Sequence, residues 1–414
     1  MNDALTFLKV ALVFAAVVWA IRKKFPIGPA LSAGGIVLAL LMGKSLPWIG
    51  HELAGGLDAV LFEARTIQFV AAMGLIVGLT MVMQASGEMG RLTASFKAWL
   101  RRPRVVLAAL PAVIGLLPMP GGALFSAPMV EQSAGSSMAP EDKALVNYWY
   151  RHVWECVCPI YSSVILCAQL IHREVKILTL ALLPIAIAAI VAGLRFLGQR
   201  QPREAENGSR GRAAVGTLTG LMPLIVLFAF CAIPGVSLPL AASAGLLFAA
   251  SWHLLAGHLG ASKLVKTLFA PAVLDMMLMG YGAMVFAALM QRSGAIYGIS
   301  SLFLTLGLPL VLLAVVLPAV VAFFSGMTIV YVSTTFPLLL GYPGVSENPL
   351  PVIALAFSAG FCGMLLSPLH SCLVVSTRYF RADLLGPIRR MVVPCLAILA
   401  TGGALMWFFN SFKF

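Results

Sequence analysis

The feature that most constrains this chain is a series of apolar runs as long as a bilayer is thick. A helix crossing the ~30 Å hydrocarbon core needs ~20 apolar residues. Such runs occupy 5–21, 27–48, 66–86, 143–171, 175–197, 214–234, 237–256, 267–290, 351–380 and 389–410. An outer-membrane barrel would show short alternating strands instead. Composition agrees: 60% of the residues are hydrophobic and 10% charged, against about 25% charged in soluble domains. A soluble enzyme, a disordered chain and a disulfide scaffold are excluded. The fold class is an all-α polytopic membrane protein.

Two further apolar stretches, 105–132 and 308–340, are interrupted near their middles. The interruptions are Pro118-Met119-Pro120-Gly121-Gly122 and Ser325-Gly326-Met327-Thr328. Each arm holds roughly 13–17 residues, about 20–25 Å of helix, which is too short to cross. Both stretches are therefore expected to be re-entrant hairpins, leaving and returning on one face. About ten transmembrane helices plus these two hairpins make up the expected architecture.

Charge orients the spans. The net charge of +13 would suggest nucleic acid for a soluble protein. Here Lys and Arg in cytoplasmic loops account for it, and no nucleic-acid partner is expected. Arg22, Lys23 and Lys24 follow the first apolar run, the reverse of a cleaved signal peptide. With that cluster inside, most other basic residues also fall inside, including Arg91–Arg104, Arg195–Arg212 and Arg378–Arg390. The expected location is the cytoplasmic (inner) membrane, with both termini outside.

Residues 199–213 form a polar, charged linker, expected to be cytoplasmic. The halves on either side repeat. Met83-Gln84-Ala85-Ser86-Gly87 matches Met290-Gln291-Arg292-Ser293-Gly294 at an offset of 207. Cys158-Pro159-Ile160-Tyr161-Ser162 matches Ser367-Pro368-Leu369-His370-Ser371 at 209. Five spans per half is odd, so 1–198 and 214–414 are expected to be two inverted-topology repeats, a pattern of secondary transporters.

Proline inside a membrane helix frees backbone groups that only protein or a watery cavity can satisfy. The breaks at Pro159 and Pro368 should each expose a half-helix N-terminus suited to an anion. Ser162, Ser163 and Ser371 stand where hydroxyls would cap it or bind solute. At the hairpin tips, Pro118 and Pro120 fix one turn, while Gly121 and Gly122 admit a ligand to the backbone. Ser325, Gly326 and Thr328 form the other tip.

Ionisable residues within spans are few and are functional candidates by default. Arg151 and Glu155, four apart, are expected to share a helix face as an ion pair, either functional or self-neutralising. His152 lies beside them. Asp275 has no partner along its own helix and is the first candidate for ion or proton coupling, with Glu155, Arg151 and His152 as the others. His370 sits at a half-helix junction. His152, Cys156 and Cys158 match no zinc-ligand spacing, and no metal site is expected. HExxH, GxSxG and GxxxxGK[ST] are all missing, and ATP-driven pumping has no support.

The segments LLPMPGGALFSAPMVEQ (116–132) and NYWYRHVWECVCPIYSS (147–163) resemble a domain-of-unknown-function family of bacterial and archaeal integral membrane proteins. That family is similar to the ion-transporter superfamily of gluconate permeases, sodium–dicarboxylate symporters and arsenite-pump membrane subunits. The resemblance implies two opposed hairpins and two broken helices around a central site. It also implies an anionic solute, coupling to Na⁺ or H⁺, a homodimer and an elevator-like motion. The dicarboxylate symporters carry Ser-Asn-Thr at both tips, whereas these tips read Pro-Gly-Gly and Ser-Gly-Met-Thr.

The expected function is secondary active transport of a small, anionic solute, with membrane lipids as surroundings and no cofactor beyond the coupling ion. An intramembrane enzyme using His152, Glu155 and His370 on a lipid-borne substrate is one alternative. An ion channel is the other. The enzyme alternative does not need a twofold repeat, and half-length hairpins suit occlusion better than a continuous pore.

Overall fold

Glycine and proline set the limits of the helices. The computed structural model describes residues 3–100, 103–118, 122–134, 138–198 and 209–412. In the first half α1 (Asp3–Arg22), α2 (Ile27–Leu41), α3 (Leu46–Ala54) and α4 (Ala64–Ala85) precede the short α5 (Glu88–Leu100). Then come α6 (Pro103–Gly115) and α7 (Gly122–Ala134), the pair α8 (Pro140–His152) and α9 (Ser162–Leu170), and α10 (Val175–Gly193). The second half opens with α11 (Arg210–Ala232), α12 (Leu238–Leu255), α13 (Ala261–Leu268), α14 (Pro271–Arg292) and α15 (Ala295–Thr305). It closes with α16 (Leu310–Ser325), α17 (Thr328–Leu340), α18 (Leu350–Leu365), α19 (Ser371–Phe380) and α20 (Leu385–Phe412). No strand occurs among the described residues. The chain is an all-α, multi-pass membrane protein.

Among the described residues, seven helices are long and apolar enough to cross a membrane: α1, α4, α10, α11, α12, α14 and α20. The run at 27–48 differs from expectation. Its helix, α2, has 15 residues, roughly 22 Å, because Gly43 takes a left-handed φ of +82° just past the end. The runs at 143–171 and 351–380 are each two shorter helices with a break between. The stretch expected as linker to residue 213 is shorter than that, since α11 already begins at Arg210.

Small residues allow close helix packing in the absence of a hydrophobic drive between helices. The α2 backbone at Gly28 touches α14 at Gly282, and Gly363 of α18 lies against the carbonyl of Ala319 on α16. Gly402 of α20 fits against Ser358 of α18. Facing outward are Leu247, Leu255, Val393, Leu396 and Trp407, an apolar surface suited to lipid.

The elements around the centre are exchanged between halves. The first half's α8 packs on its own α6 and α7 but also on α19, and α19 touches α7. Conversely, α9 packs on α17 of the second half. Each broken helix thus carries one segment against the opposite half's helical pair.

Candidate functional site

Pro159 and Pro368 act locally. A proline lacks the N–H that would bond the carbonyl four residues back, and it pushes its predecessor out of the helical region. The carbonyl left by Pro159 belongs to Glu155, which instead lies 3.5 Å from the Ser163 hydroxyl. Helix α8 stops at His152, six residues before the Cys158–Pro159 bond, and α9 resumes at Ser162. Around Pro368, α18 ends at Leu365 and α19 begins at Ser371. Ser367 fills part of that gap: its hydroxyl donates to the Phe323 carbonyl and accepts from the Leu369 N–H at 3.2 Å.

The α16–α17 tip is built by Gly326. Its φ of +67° ends α16, and its N–H donates to the Ala322 carbonyl at 2.8 Å. A Cβ there would lie 3.0 Å from the backbone nitrogen of His370. The tip therefore sits directly on the second break. His370 Nδ1 meets the Gly326 carbonyl at 2.6 Å, and a carbonyl only accepts, so Nδ1 carries the proton. His152 Nδ1 likewise donates to the Tyr148 carbonyl at 2.6 Å. The two Nε2 atoms then face each other at 3.0 Å. Tyr148 packs on both rings, with centroid separations of 4.7 and 5.4 Å.

Glu155 is the acid of this cluster. Thr328 Oγ1, at the first position of α17, donates to Glu155 Oε1 at 2.9 Å. Glu155 Oε2 lies 3.8 Å from His152 Nε2 and accepts no hydrogen bond among the described residues. Arg151 points elsewhere. Its guanidinium occupies the space a side chain at Gly122 would need, and Nη1 is 3.5 Å from the Ile114 carbonyl. Arg151 thus addresses the α6–α7 pair and Glu155 the α16–α17 pair. Arg151 and Glu155 do not share a helix face as expected, because α8 has ended before residue 155.

The break and tips therefore bring together Gly122, Arg151, His152, Glu155, Ser163, Gly326, Thr328 and His370. Ser325 stays at its own tip, where its hydroxyl accepts from the Met327 N–H at 3.3 Å. Ser162 is half-buried and Ser371 exposed, each opening its half-helix. Pro118 follows α6 as expected, and Pro120 and Gly121 lie outside the described residues. Asp275 is not in the cluster. It is exposed near the start of α14, with no hydrogen bond or ion pair among the described residues.

Three participants escape sequence reasoning. Asn147, fully buried, donates to the Ala123 carbonyl at 3.1 Å and to Ser376 Oγ at 2.8 Å, tying α8 to α7 and α19. Tyr148 reaches the Met364 and Leu365 carbonyls at the end of α18, both at 3.3 Å. The third is Cys372, whose sulfur lies within 4.8 Å of a ring nitrogen of each of His152 and His370. An amide in an apolar run was the available signal for Asn147; nothing local marks Cys372.

A cavity of about 860 Å³ reaches the first break from the side of Trp154, Cys158 and Pro159. Its lining includes Arg65, Arg173 and Lys176, with Glu174 as counter-charge at 2.6 Å from Lys176. His172 contacts Arg65 there. Partial burial holds the His172 pKa below its ordinary 6.5, and the Arg65 charge adds to this while Glu63 opposes it.

A family model described as "Protein of unknown function (DUF401)" matches residues 6–409, and the chain belongs to that family. No curated protein matches it. Among solved structures it is similar to the YdaH transporter of Alcanivorax borkumensis, whose crystal structure is described as having an unusual topology. The two are 16% identical and superpose with a TM-score of 0.58, over 87% of this chain and 90% of the other.

Proposed function

We propose that this member of a family of unknown function is a secondary active transporter of the cytoplasmic membrane. It moves a small anionic solute, driven by a Na⁺ or H⁺ gradient. Carrying this reading is the meeting of His152 and His370, one from each interrupted helix, at 3.0 Å. Irregular backbone deep in a membrane is tolerated where it lines a site or cavity, and transporters place such interruptions at their binding centre. The fold likeness to a transporter supports the same class.

Arg151 against Gly122 supplies the intramembrane cation for the solute. The N-termini of α9 and α19 add partial positive charge. Arg65, Arg173 and Lys176 in the cavity lining would concentrate anions there. In this proposal the two halves are inverted repeats, and α6–α7 and α16–α17 are re-entrant hairpins. Hairpins and broken helices slide together against the remaining spans, which form the homodimer contact. A panel of labelled carboxylate, sulfonate and phosphate anions tests this in proteoliposomes with imposed Na⁺ or pH gradients. Gradient-dependent flux of at least one is expected. Lipid turnover lost in His370→Ala, with no flux of any anion, would replace the reading with an enzyme.

A further inference from the structure

We propose that His152, His370 and Cys372 form a binding site for a divalent, thiophilic metal ion of the Zn²⁺ type, with Glu155 beside the fourth position. The orientation of the two imidazoles comes first. Each spends its Nδ1–H on a backbone carbonyl, Tyr148 for one and Gly326 for the other. This is how proteins fix metal-ligating histidines, leaving the Nε2 lone pair aimed at the ion. Here both lone pairs aim at one point, 3.0 Å apart. Two acceptors at that distance repel unless a cation lies between them.

The third donor selects the cation. A proton shared between imidazoles needs nothing more, and it would leave the Cys372 sulfur idle at the same point. All three donor atoms lie within 4.8 Å of one another. A tetrahedral ion about 2.0–2.1 Å from nitrogen and about 2.3 Å from sulfur wants its donors about 3.3–3.8 Å apart. Imidazole nitrogen and thiolate sulfur are both ordinary Zn²⁺ donors, and three protein ligands leave the fourth tetrahedral position open.

Charge gives an independent argument. Glu155 Oε2 has no hydrogen-bond donor among the described residues and sits 3.8 Å from His152 Nε2. A Cys372 thiolate and the Glu155 carboxylate together carry two negative charges, which a divalent ion neutralises in a membrane interior that penalises net charge. The donors come from both halves, so the ion would clamp the two interrupted helices to each other. Cys372 is only partly buried and follows the exposed Ser371.

The full chain, purified in detergent, is titrated with Co²⁺ as the probe and then with Zn²⁺. One Co²⁺ per chain is expected, with a thiolate-to-cobalt charge-transfer band that Zn²⁺ bleaches. Zn²⁺ should also raise the unfolding temperature, since a ligand of the folded state stabilises it by mass action. Cys372→Ser should lose the band and bind Zn²⁺ at least about tenfold more weakly, while Cys158→Ser keeps both. His370→Ala should also bind Zn²⁺ at least about tenfold more weakly, and His370→Gln serves for the same comparison if that variant does not fold. No band in the wild-type protein, a band that survives Cys372→Ser, or one abolished by Cys158→Ser would overturn the site. This titration uses no gradient and no organic solute, so it fails or succeeds independently of the transport reading.

Discussion

Thr328 donates a 2.9 Å hydrogen bond to Glu155 across 173 positions of sequence. The bond joins the first residue of α17 to the break after α8. It also holds the one acid of the cluster in place. A hydrogen bond to a charged group contributes about 1.5–3 kcal/mol. Thr328→Val keeps the shape and removes the donor, so it should lower the unfolding temperature by a corresponding amount. Thr328→Ser should restore most of it. Equal losses in both variants would mean that packing of the methyl group, rather than the bond, matters.

Gly326 has two reasons to be glycine, and they separate experimentally. Its left-handed backbone disfavours any L side chain by about 1–2 kcal/mol, and a Cβ would press on the His370 nitrogen at 3.0 Å. Gly43 is also left-handed but has open space around it. Gly43→Ala should therefore show the backbone cost alone. Gly326→Ala should cost more in thermal stability and should abolish flux, because it displaces the ring of His370.

Arg151 is the cation assigned to the solute. Arg151→Gln should weaken the anion-induced thermal shift at least about tenfold in concentration, and Arg151→Lys should recover only part, lacking the planar fork. Anion affinity unchanged in Arg151→Gln would move the recognition to the half-helix ends or the cavity lining.

His172 gives a pH signature outside the spans. Its pKa is held below the ordinary 6.5. Above that value both folded and unfolded forms are neutral, and the group contributes nothing to pH dependence. As pH falls through it, the unfolded chain takes a proton that the folded chain resists, so stability declines. The His172 ring resonance in NMR should titrate below that of a free histidine, and Arg65→Gln should move its midpoint upward.

Much of the frame is legible in the residues. Apolar runs locate the long helices, and Pro159 and Pro368 mark where two of them cannot continue. How far the first break extends is not local information. The helix ends at His152, and that earlier end sends Arg151 and Glu155 to different partners. Asp275, a lone carboxylate in an apolar run, lies near its helix start and faces outward, a placement that periodicity does not reveal. Cys372 and Asn147 acquire meaning only when α19 is laid against α7 and α8, a long-range packing that no sequence window contains.

Gradient-driven uptake into proteoliposomes tests the central claim most directly. Purified chain should accumulate at least one anion against its concentration under an imposed Na⁺ or pH gradient. Accumulation should collapse when an ionophore dissipates that gradient and be absent in Gly326→Ala. Uptake that never exceeds equilibration, whatever the gradient, or that is unaffected by Gly326→Ala, would contradict it.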